Sequence, residues 1–357
     1  MSAYRDNAEG IMDYAKPEFE RAVVNEAGRL LRDFFQFRGE VSDVIDAVQI
    51  IDNWRASHAF PLNSFTQTLR NRARRIHATA KTPQRIKRLA SIGNKLVEKP
   101  EMKLSQMQDI GGCRAVMPTL SQVLALRDTY LKEDLVHKYA GQKDYIDQPK
   151  DSGYRGIHLK YRFVGSARSL PFDQLKVEIQ IRTLLQHKWA TAVETAGTFT
   201  KEALKASKGS PDWLRFFSLM SSVFASREGC SIVPGTPSTI DDTIEEIRQL
   251  NKDHLIAATF SQYHALLPTI ETQREAKYFL VQLDPVNEKV QVKGFRAEDS
   301  QEANRQYTEV ESRLPPGSPI QAVLVSVGSV ASLKKAYPNY FLDTADFLAE
   351  LRAIVSP

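Results

Sequence analysis

Two acidic residues draw notice by the company they keep. In Val177-Glu178-Ile179-Gln180-Ile181-Arg182, the apolar Val177, Ile179 and Ile181 alternate with Glu178, Gln180 and Arg182, which predicts a strand with one polar face. A carboxylate on such a strand is expensive to bury unless it is paired or binds a cation. Asp109 opens an earlier strand-like run, Asp109–Met117, so two carboxylates can meet at one end of a sheet. Close to a cluster of lysine and arginine, such a pair suits Mg²⁺ carried on a polyphosphate. The plainer alternatives are that Asp109 caps a turn and that Glu178 pairs with Arg182.

A polyphosphate needs a cradle, and the glycine-rich ones are missing: there is neither Gly-x4-Gly-Lys-Ser/Thr nor Gly-x-Gly-x-x-Gly after a strand. Side chains must serve instead. Between Arg70 and Lys95 lie nine basic residues and no acidic one, a block that suggests phosphate or nucleic acid as partner and otherwise reads as a solvated helix face. Within it stand Arg85, Lys87, Ser91 and Lys95; positions 87, 91 and 95 are four apart, which predicts one helix face. Guanidinium groups bind phosphate bidentately or stack on a base, whereas ammonium groups act as point charges. The polar stretch Lys143–Tyr154 predicts a loop carrying Lys143, Lys150 and, after Gly153, Tyr154. A tyrosine on a basic loop suits base stacking, worth about 1–3 kcal/mol per base; its alternative is packing of the loop onto a core.

The elements that position these residues follow from periodicity. Helices are predicted over 17–37, 41–57, 120–132, 183–196 and 211–227, and strands over 109–117, 156–164 and 175–182. The basic block is predicted on two helices broken near Thr82-Pro83. The result is an α/β (α+β) fold, a mixed sheet flanked by helices. Residues 229–239, with two glycines and two prolines, read as a linker. A helix near 241–257, strands at 276–283 and 288–295 around the turn Asp284-Pro-Val-Asn287, a helix from about Glu298, a strand at 320–327 and a helix at 344–354 make a small C-terminal α+β module. The expected division is 1–228, then 229–258 as linker and connecting helix, then 259–357. With 357 residues, 42% hydrophobic and 25% charged, the chain has globular composition. Two cysteines exclude a disulfide framework and a cysteine-rich zinc site. The opening residues show no leader-like apolar stretch and no run is long enough to span a membrane, so a cytoplasmic protein with no membrane partner is expected.

Four ordered motifs carry a family resemblance: Arg85-x-Lys-x3-Ser91-Ile-x2-Lys95, Asp109-Ile-x-Gly-x-Arg114, Lys143-Asp-Tyr-Ile-x2-Pro-Lys150-x2-Gly-Tyr154-x2-Ile-His158 and Val177-Glu178-Ile-Gln180-Ile-Arg-Thr183. Together, over about residues 60–200, they resemble the RelA/SpoT synthetases, which move pyrophosphate from ATP to a nucleotide 3′-hydroxyl. The resemblance implies a nucleotidyltransferase-like core with ATP as donor and Mg²⁺ as cofactor. It implies that Arg85 and Arg114 sandwich the adenine and that Lys87, Ser91, Lys95, Lys143 and Lys150 contact phosphate. Asp109 and Glu178 would hold the metal, with Glu178 also deprotonating the attacking hydroxyl. Tyr154 would stack the acceptor base, and Gln180 and His158 would support the site.

The residues before the block lack the His-Asp metal pattern of bifunctional members, so product hydrolysis is not expected. A short synthetase with a small appended domain resembles the toxic small alarmone synthetases, especially the CapRel-type fused toxin–antitoxin group. There, Tyr337-Pro-Asn-Tyr340 matches a Tyr-x-x-Tyr motif that the antitoxin domain, similar to a zinc finger without its metal, places against the ATP site. Without the resemblance, these two tyrosines read as core packing around a turn. The expected function is pyrophosphate transfer to the 3′-hydroxyl of tRNA, autoinhibited by the intramolecular C-terminal domain and released by a phage capsid or other phage structural protein. Deleting the chain after about residue 260 should then release the activity. The alternatives are a (p)ppGpp synthetase using GDP or GTP and a non-catalytic nucleotide-binding regulator.

Overall fold

The structure is a computed structural model that describes residues 14–132, 135–199, 210–262, 265, 275–284, 286–287, 289–313, 320–326 and 340–356. The chain forms two compact units, one of residues 1–143 and 157–183, the other of 144–156 and 184–357.

In the first unit, helices α1 (Arg21–Phe35), α2 (Val41–Ser57) and α3 (Ala59–Ile76) lead into β1 (Gln84–Ile86), α4 (Leu89–Glu98), β2 (Gly111–Met117), α5 (Leu120–Lys132), β3 (Lys138–Asp144), β4 (Ile157–Arg162) and β5 (Lys176–Thr183). Five strands form a mixed sheet in the order β1-β2-β5-β4-β3. β2 and β5 run parallel at its centre, while β1 and β4 pair antiparallel to their neighbours. One face is apolar: Cys113, Ala115, Leu159, Tyr161, Val177, Ile179 and Ile181 are all buried. α3 covers it with Leu62, Phe65 and Leu69, the Leu62 side chain lying against Gly111 and the Phe65 ring against Tyr161. The Tyr161 hydroxyl donates to the Tyr130 carbonyl of α5 at 3.1 Å, so α5 backs the same face. Burying five branched or aromatic side chains of the sheet, at roughly 1.5–3 kcal/mol each, fixes the register, because a slip by one residue would turn the polar set inward.

Two elements differ from expectation. The basic block does lie on two helices, α3 and α4, but the break between them is wider than expected: residues 84–86 form an edge strand paired with Gly111–Cys113, and α4 starts only at Leu89. The loop expected over Lys143–Tyr154 begins only after Asp144, because Lys138–Asp144 forms an edge strand, with Gly141 at φ 109.

In the second unit, α6 (Leu184–Phe199), α7 (Pro211–Arg227) and α8 (Ile240–His254) are followed by β6 (Tyr278–Asp284), β7 (Lys289–Phe295), α9 (Ser300–Arg313), β8 (Gln321–Ser326) and α10 (Tyr340–Val355). The three strands form an antiparallel sheet in the order β7-β6-β8. The expected turn at 284–287 is held by Asp284, which accepts from the Asn287 backbone N–H at 3.0 Å and its side-chain amide at 2.8 Å. One core joins α6 and α7 to the C-terminal elements: Trp189, Phe216, Phe217, Phe224, Phe260, Phe279, Phe347 and Leu351 are buried together. The segment 229–239 is packed, not free-running, since Ser222 of α7 accepts from the Val233 N–H at 2.9 Å and meets the Thr236 hydroxyl at 2.7 Å. The compact division therefore falls between β5 and α6, not at the glycine–proline stretch after α7.

Candidate active site

Register decides which side chains share the polar face, because residues directly opposite on neighbouring strands point to the same side. One row crosses four strands: Arg85 opposite Gly112, Gly112 opposite Glu178, Glu178 opposite Lys160. The next row places Arg114 opposite Gln180 and Gln180 opposite His158. Gly112 leaves the first row without a side chain at its second position, and a Cβ built there would meet only the Glu178 carbonyl oxygen at 3.8 Å. The sheet therefore carries a bare strip flanked by Arg85 on one side and by Glu178 and Lys160 on the other.

Asp109 sits just before β2, where the ammonium groups of Lys87 and Lys95 both reach it, Lys87 at 3.0 Å and Lys95 at 2.8 Å. Burial pushes the Asp109 carboxyl up, but the two ammonium charges and their hydrogen bonds outweigh it and hold the group well below the usual carboxylate range. Glu178 is likewise buried; that raises its pKa, and His158 at 3.0 Å with the Gln180 amide at 2.8 Å more than compensates, bringing it to about 2. Each carboxylate is close enough to feel the other, since Asp109 opposes the ionisation of Glu178. Gln180 also accepts from Arg182 at 2.8 Å, so the second row is a connected polar chain. Lys160 has its pKa lowered by burial first, then by Lys143, against the attraction of Glu178, with Lys95 and Lys99 adding repulsion. Lysines 87, 95, 99, 143 and 160 thus surround two carboxylates within one unit.

The structure brings together Asp109, Glu178, Gln180, His158, Lys87 and Lys95, and it sets Arg85 and Arg114 on the same face. Lys87 is not on the helix face shared by Ser91 and Lys95: it precedes α4, and its backbone N–H donates to the Ile110 carbonyl at 2.8 Å. Edge pairing with β2 overrides helical spacing there, yet it still delivers the ammonium group to Asp109. Lys160 and Lys99 escaped the sequence reading. For Lys160 the signal was present, since period-two alternation from His158 puts it on the face of Glu178 once β4 and β5 are paired.

Tyr154 and Lys150 belong to the second unit. Tyr154 is half-buried, edge-on to Tyr145 at 5.6 Å and to Trp189 at 6.4 Å, with the Lys150 ammonium 4.6 Å from the Tyr145 ring centre and 5.1 Å from that of Tyr154. The loop is pinned on both sides of the tyrosine. Gly153, at φ +87, fits where a Cβ would come within 2.9 Å of Trp189 and 3.0 Å of Ser221, and its carbonyl accepts the Ser221 hydroxyl at 2.6 Å. Arg155 donates to Glu228 at 2.9 Å and to Ser221 at 3.2 Å, and Gln186 donates to the same Glu228 oxygen at 3.1 Å. Tyr337 lies outside the described residues; Tyr340 opens α10, and its side chain lies outside them too.

The donor set suits Mg²⁺. Asp109 and Glu178 are ionised, hard oxygen ligands in mutual electrostatic range. Among the described residues no three His, Cys, Asp or Glu side chains gather into a cage. Two carboxylates, with substrate phosphates completing the shell, is the arrangement by which Mg²⁺ is commonly held.

Of the nine basic residues in the block, Arg72 is structural: it is buried, bonded to the Thr129 carbonyl, and its guanidinium lies 4.6 Å over the Tyr130 ring. Arg74 and Arg75 are exposed at the end of α3. Among the described residues no helix is long and apolar enough to cross a membrane.

Residues 84–202 match the family described as "Region found in RelA / SpoT proteins", a span running from β1 to just past α6. Two curated proteins of Bacillus subtilis (strain 168) are similar over this region. GTP pyrophosphokinase YwaC is 34% identical over 116 residues, 31% of this chain and 54% of that protein. GTP pyrophosphokinase YjbM is 36% identical over 110 residues, 30% of this chain and 51% of that protein. The chain therefore spans about half the length of the curated relatives it matches. Among solved structures, small alarmone synthetase 2 from Bacillus subtilis is 22% identical with a TM-score of 0.42, over 50% of this chain and 94% of that one.

Proposed function

We propose that the chain is a pyrophosphokinase: it transfers the β,γ-diphosphate of ATP to a ribose 3′-hydroxyl. The observation that carries this is the first unit's polar face, where two ionised carboxylates lie among five lysines without a glycine-rich phosphate loop. The RelA/SpoT match over the same strands supports it. In this reading the acceptor's 3′-oxygen attacks the β-phosphorus, the bond from that phosphorus to the α–β bridging oxygen breaks, and AMP departs with its electron pair. Lys87 and Lys95, released from Asp109 as the donor arrives, hold phosphate oxygens. Arg85 and Arg114 flank the adenine.

Glu178 accepts the hydroxyl proton. A carboxylate held near a pKa of 2 is a weak base at rest, so it acts by position, taking the proton as the 3′-oxygen bonds to phosphorus. Asp109 and Glu178 would hold Mg²⁺, which when bound would neutralise charge on the phosphates. Tyr154, on its pinned loop, is assigned to the acceptor base.

For the acceptor we propose the 3′ end of tRNA, in keeping with the CapRel-type Tyr337-x-x-Tyr340 motif and the exposed Arg74 and Arg75. The C-terminal residues are then the intramolecular antitoxin and a phage structural protein the activator. A second reading, GDP or GTP as acceptor, is favoured by the two Bacillus relatives being GTP pyrophosphokinases and by Arg72 being structural. Incubation of the purified full chain with γ-labelled ATP and either deacylated tRNA or GDP decides between them. Label on tRNA alone supports the first, label on a guanosine product alone overturns it, and no label on either from the full chain carrying Tyr340→Ala, which lifts the proposed autoinhibition, overturns the pyrophosphokinase reading.

A further inference from the structure

Lys160 lies directly across from Glu178 on the β4 side, whereas Arg85 lies at the opposite end of the same row, on the β1 side. Three strand-to-strand steps separate Arg85 from Lys160, about 14 Å at roughly 4.8 Å per step. That is enough for two reactants to lie side by side over the bare strip at Gly112. The pair Lys87 and Lys95 already balances Asp109, and His158 faces Glu178. Lys160 adds a positive charge beyond those pairs, in electrostatic range of Lys143, Lys95 and Lys99. Like charges are tolerated in such a group when an anion completes it.

With the donor purine at the Arg85–Arg114 edge, as the proposed function has it, the space over β4 falls on the acceptor's side of Glu178. From this arrangement we infer that Lys160 binds the phosphate attached to the acceptor's own ribose, and so presents that ribose's 3′-hydroxyl to Glu178. The phosphate chemistry is shared by two sources, the 5′-diphosphate or triphosphate of a free guanosine nucleotide and the phosphodiester that joins the terminal nucleoside of tRNA. Lys160 is assigned to neither the donor nor the metal.

The inference rests on the pyrophosphokinase reading, and calorimetry on the full chain separates the two. Wild type, Lys160→Met and Lys160→Arg are titrated with a non-hydrolysable ATP analogue, GDP, GTP and deacylated tRNA. The expected result is that Lys160→Met weakens at least one of GDP, GTP or tRNA by about 10- to 100-fold, the effect of losing one charge-assisted contact. The ATP analogue should change by less than about threefold at unchanged melting temperature, and Lys160→Arg should recover most of the loss. The ligand that weakens identifies the phosphate source. Equal weakening of the ATP analogue, or acceptor affinities that do not move, overturns the assignment while leaving the reaction standing. A full chain carrying Tyr340→Ala, which lifts the proposed autoinhibition, that binds the ATP analogue but none of the three acceptors also overturns it, and one that binds no ATP analogue defeats both readings.

Discussion

The Asp109 cluster of the first unit and the Arg155–Glu228 pair of the second are both buried assemblies of charge, and their stoichiometry separates them. At Arg155 and Glu228 the count is matched: one guanidinium, one carboxylate, with Gln186 and Ser221 taking up further hydrogen bonds, and side-chain exposures of 2% and 8%. Burial lowers the Arg155 pKa, and Glu228 and Cys230 oppose that. Around Asp109 and Glu178 the cations outnumber the acids, and the side chains remain 11–25% exposed. A matched, sealed pair holds a loop in place. An over-supplied, half-open one is provisioned for an anion that arrives later.

That contrast can be broken by experiment, starting with chemistry. Glu178→Gln should lower single-turnover transfer from labelled ATP by about 10²–10⁴-fold if Glu178 is the base; a retained rate removes the assignment. Glu228→Ala should do the reverse. Stripping one partner from a buried pair costs about 3–5 kcal/mol, so urea unfolding should show a loss of that order, whereas Asp109→Asn should cost far less. If Asp109→Asn proves the more destabilising, the distinction between provisioned and sealed charge fails.

Gly153→Ala tests the same loop through its backbone. With φ +87 and Trp189 2.9 Å from the added Cβ, a stability loss of about 1–3 kcal/mol is expected, along with faster amide exchange over 144–156. Native exchange there would mean the glycine is not what shapes the turn. The smallest effect is in acid. Glu178 falls from an ordinary 4.5 to about 2 in the folded chain, so its contribution to stability is complete above about pH 4.5 and is lost as pH falls toward 2. The wild type should therefore lose stability across that window more steeply than Glu178→Gln, and parallel acid profiles would contradict it.

Much of the site was legible because its signals are local. Alternation around Glu178 gave the strand and its polar face, and Ser91 and Lys95 do lie four apart on α4. What could not be read depended on partners distant in sequence. Lys87 looks helical by spacing and is not, because residues 84–86 find an edge on β2. Lys160 becomes a site residue only when β4 is registered against β5. The strand at 138–144 is polar with a glycine inside, so it lacks the apolar alternation that marks a half-buried strand; pairing at the sheet edge creates it. The division before α6 was hidden for a related reason: the glycines and prolines of 229–239 announce a break in secondary structure, but Phe347 and Leu351 of α10 complete the core begun by Trp189 and Phe217.

This last arrangement bears on how the C-terminal residues can act. Glu350 of α10 grips Arg227 at 2.5 Å, Asp346 reaches Lys188 at 3.4 Å, and the Phe347 ring lies 6.0 Å from Phe217, whose carbonyl receives the Trp189 indole N–H that backs Gly153. The tail of the chain is thus masonry under the Tyr154 turn, and cutting it away would pull stones from the floor on which that turn rests. Any on–off control exerted from this end has to work by reshuffling a shared interior. A trimmed chain should make a poorer instrument than an intact one, whatever it has been freed from.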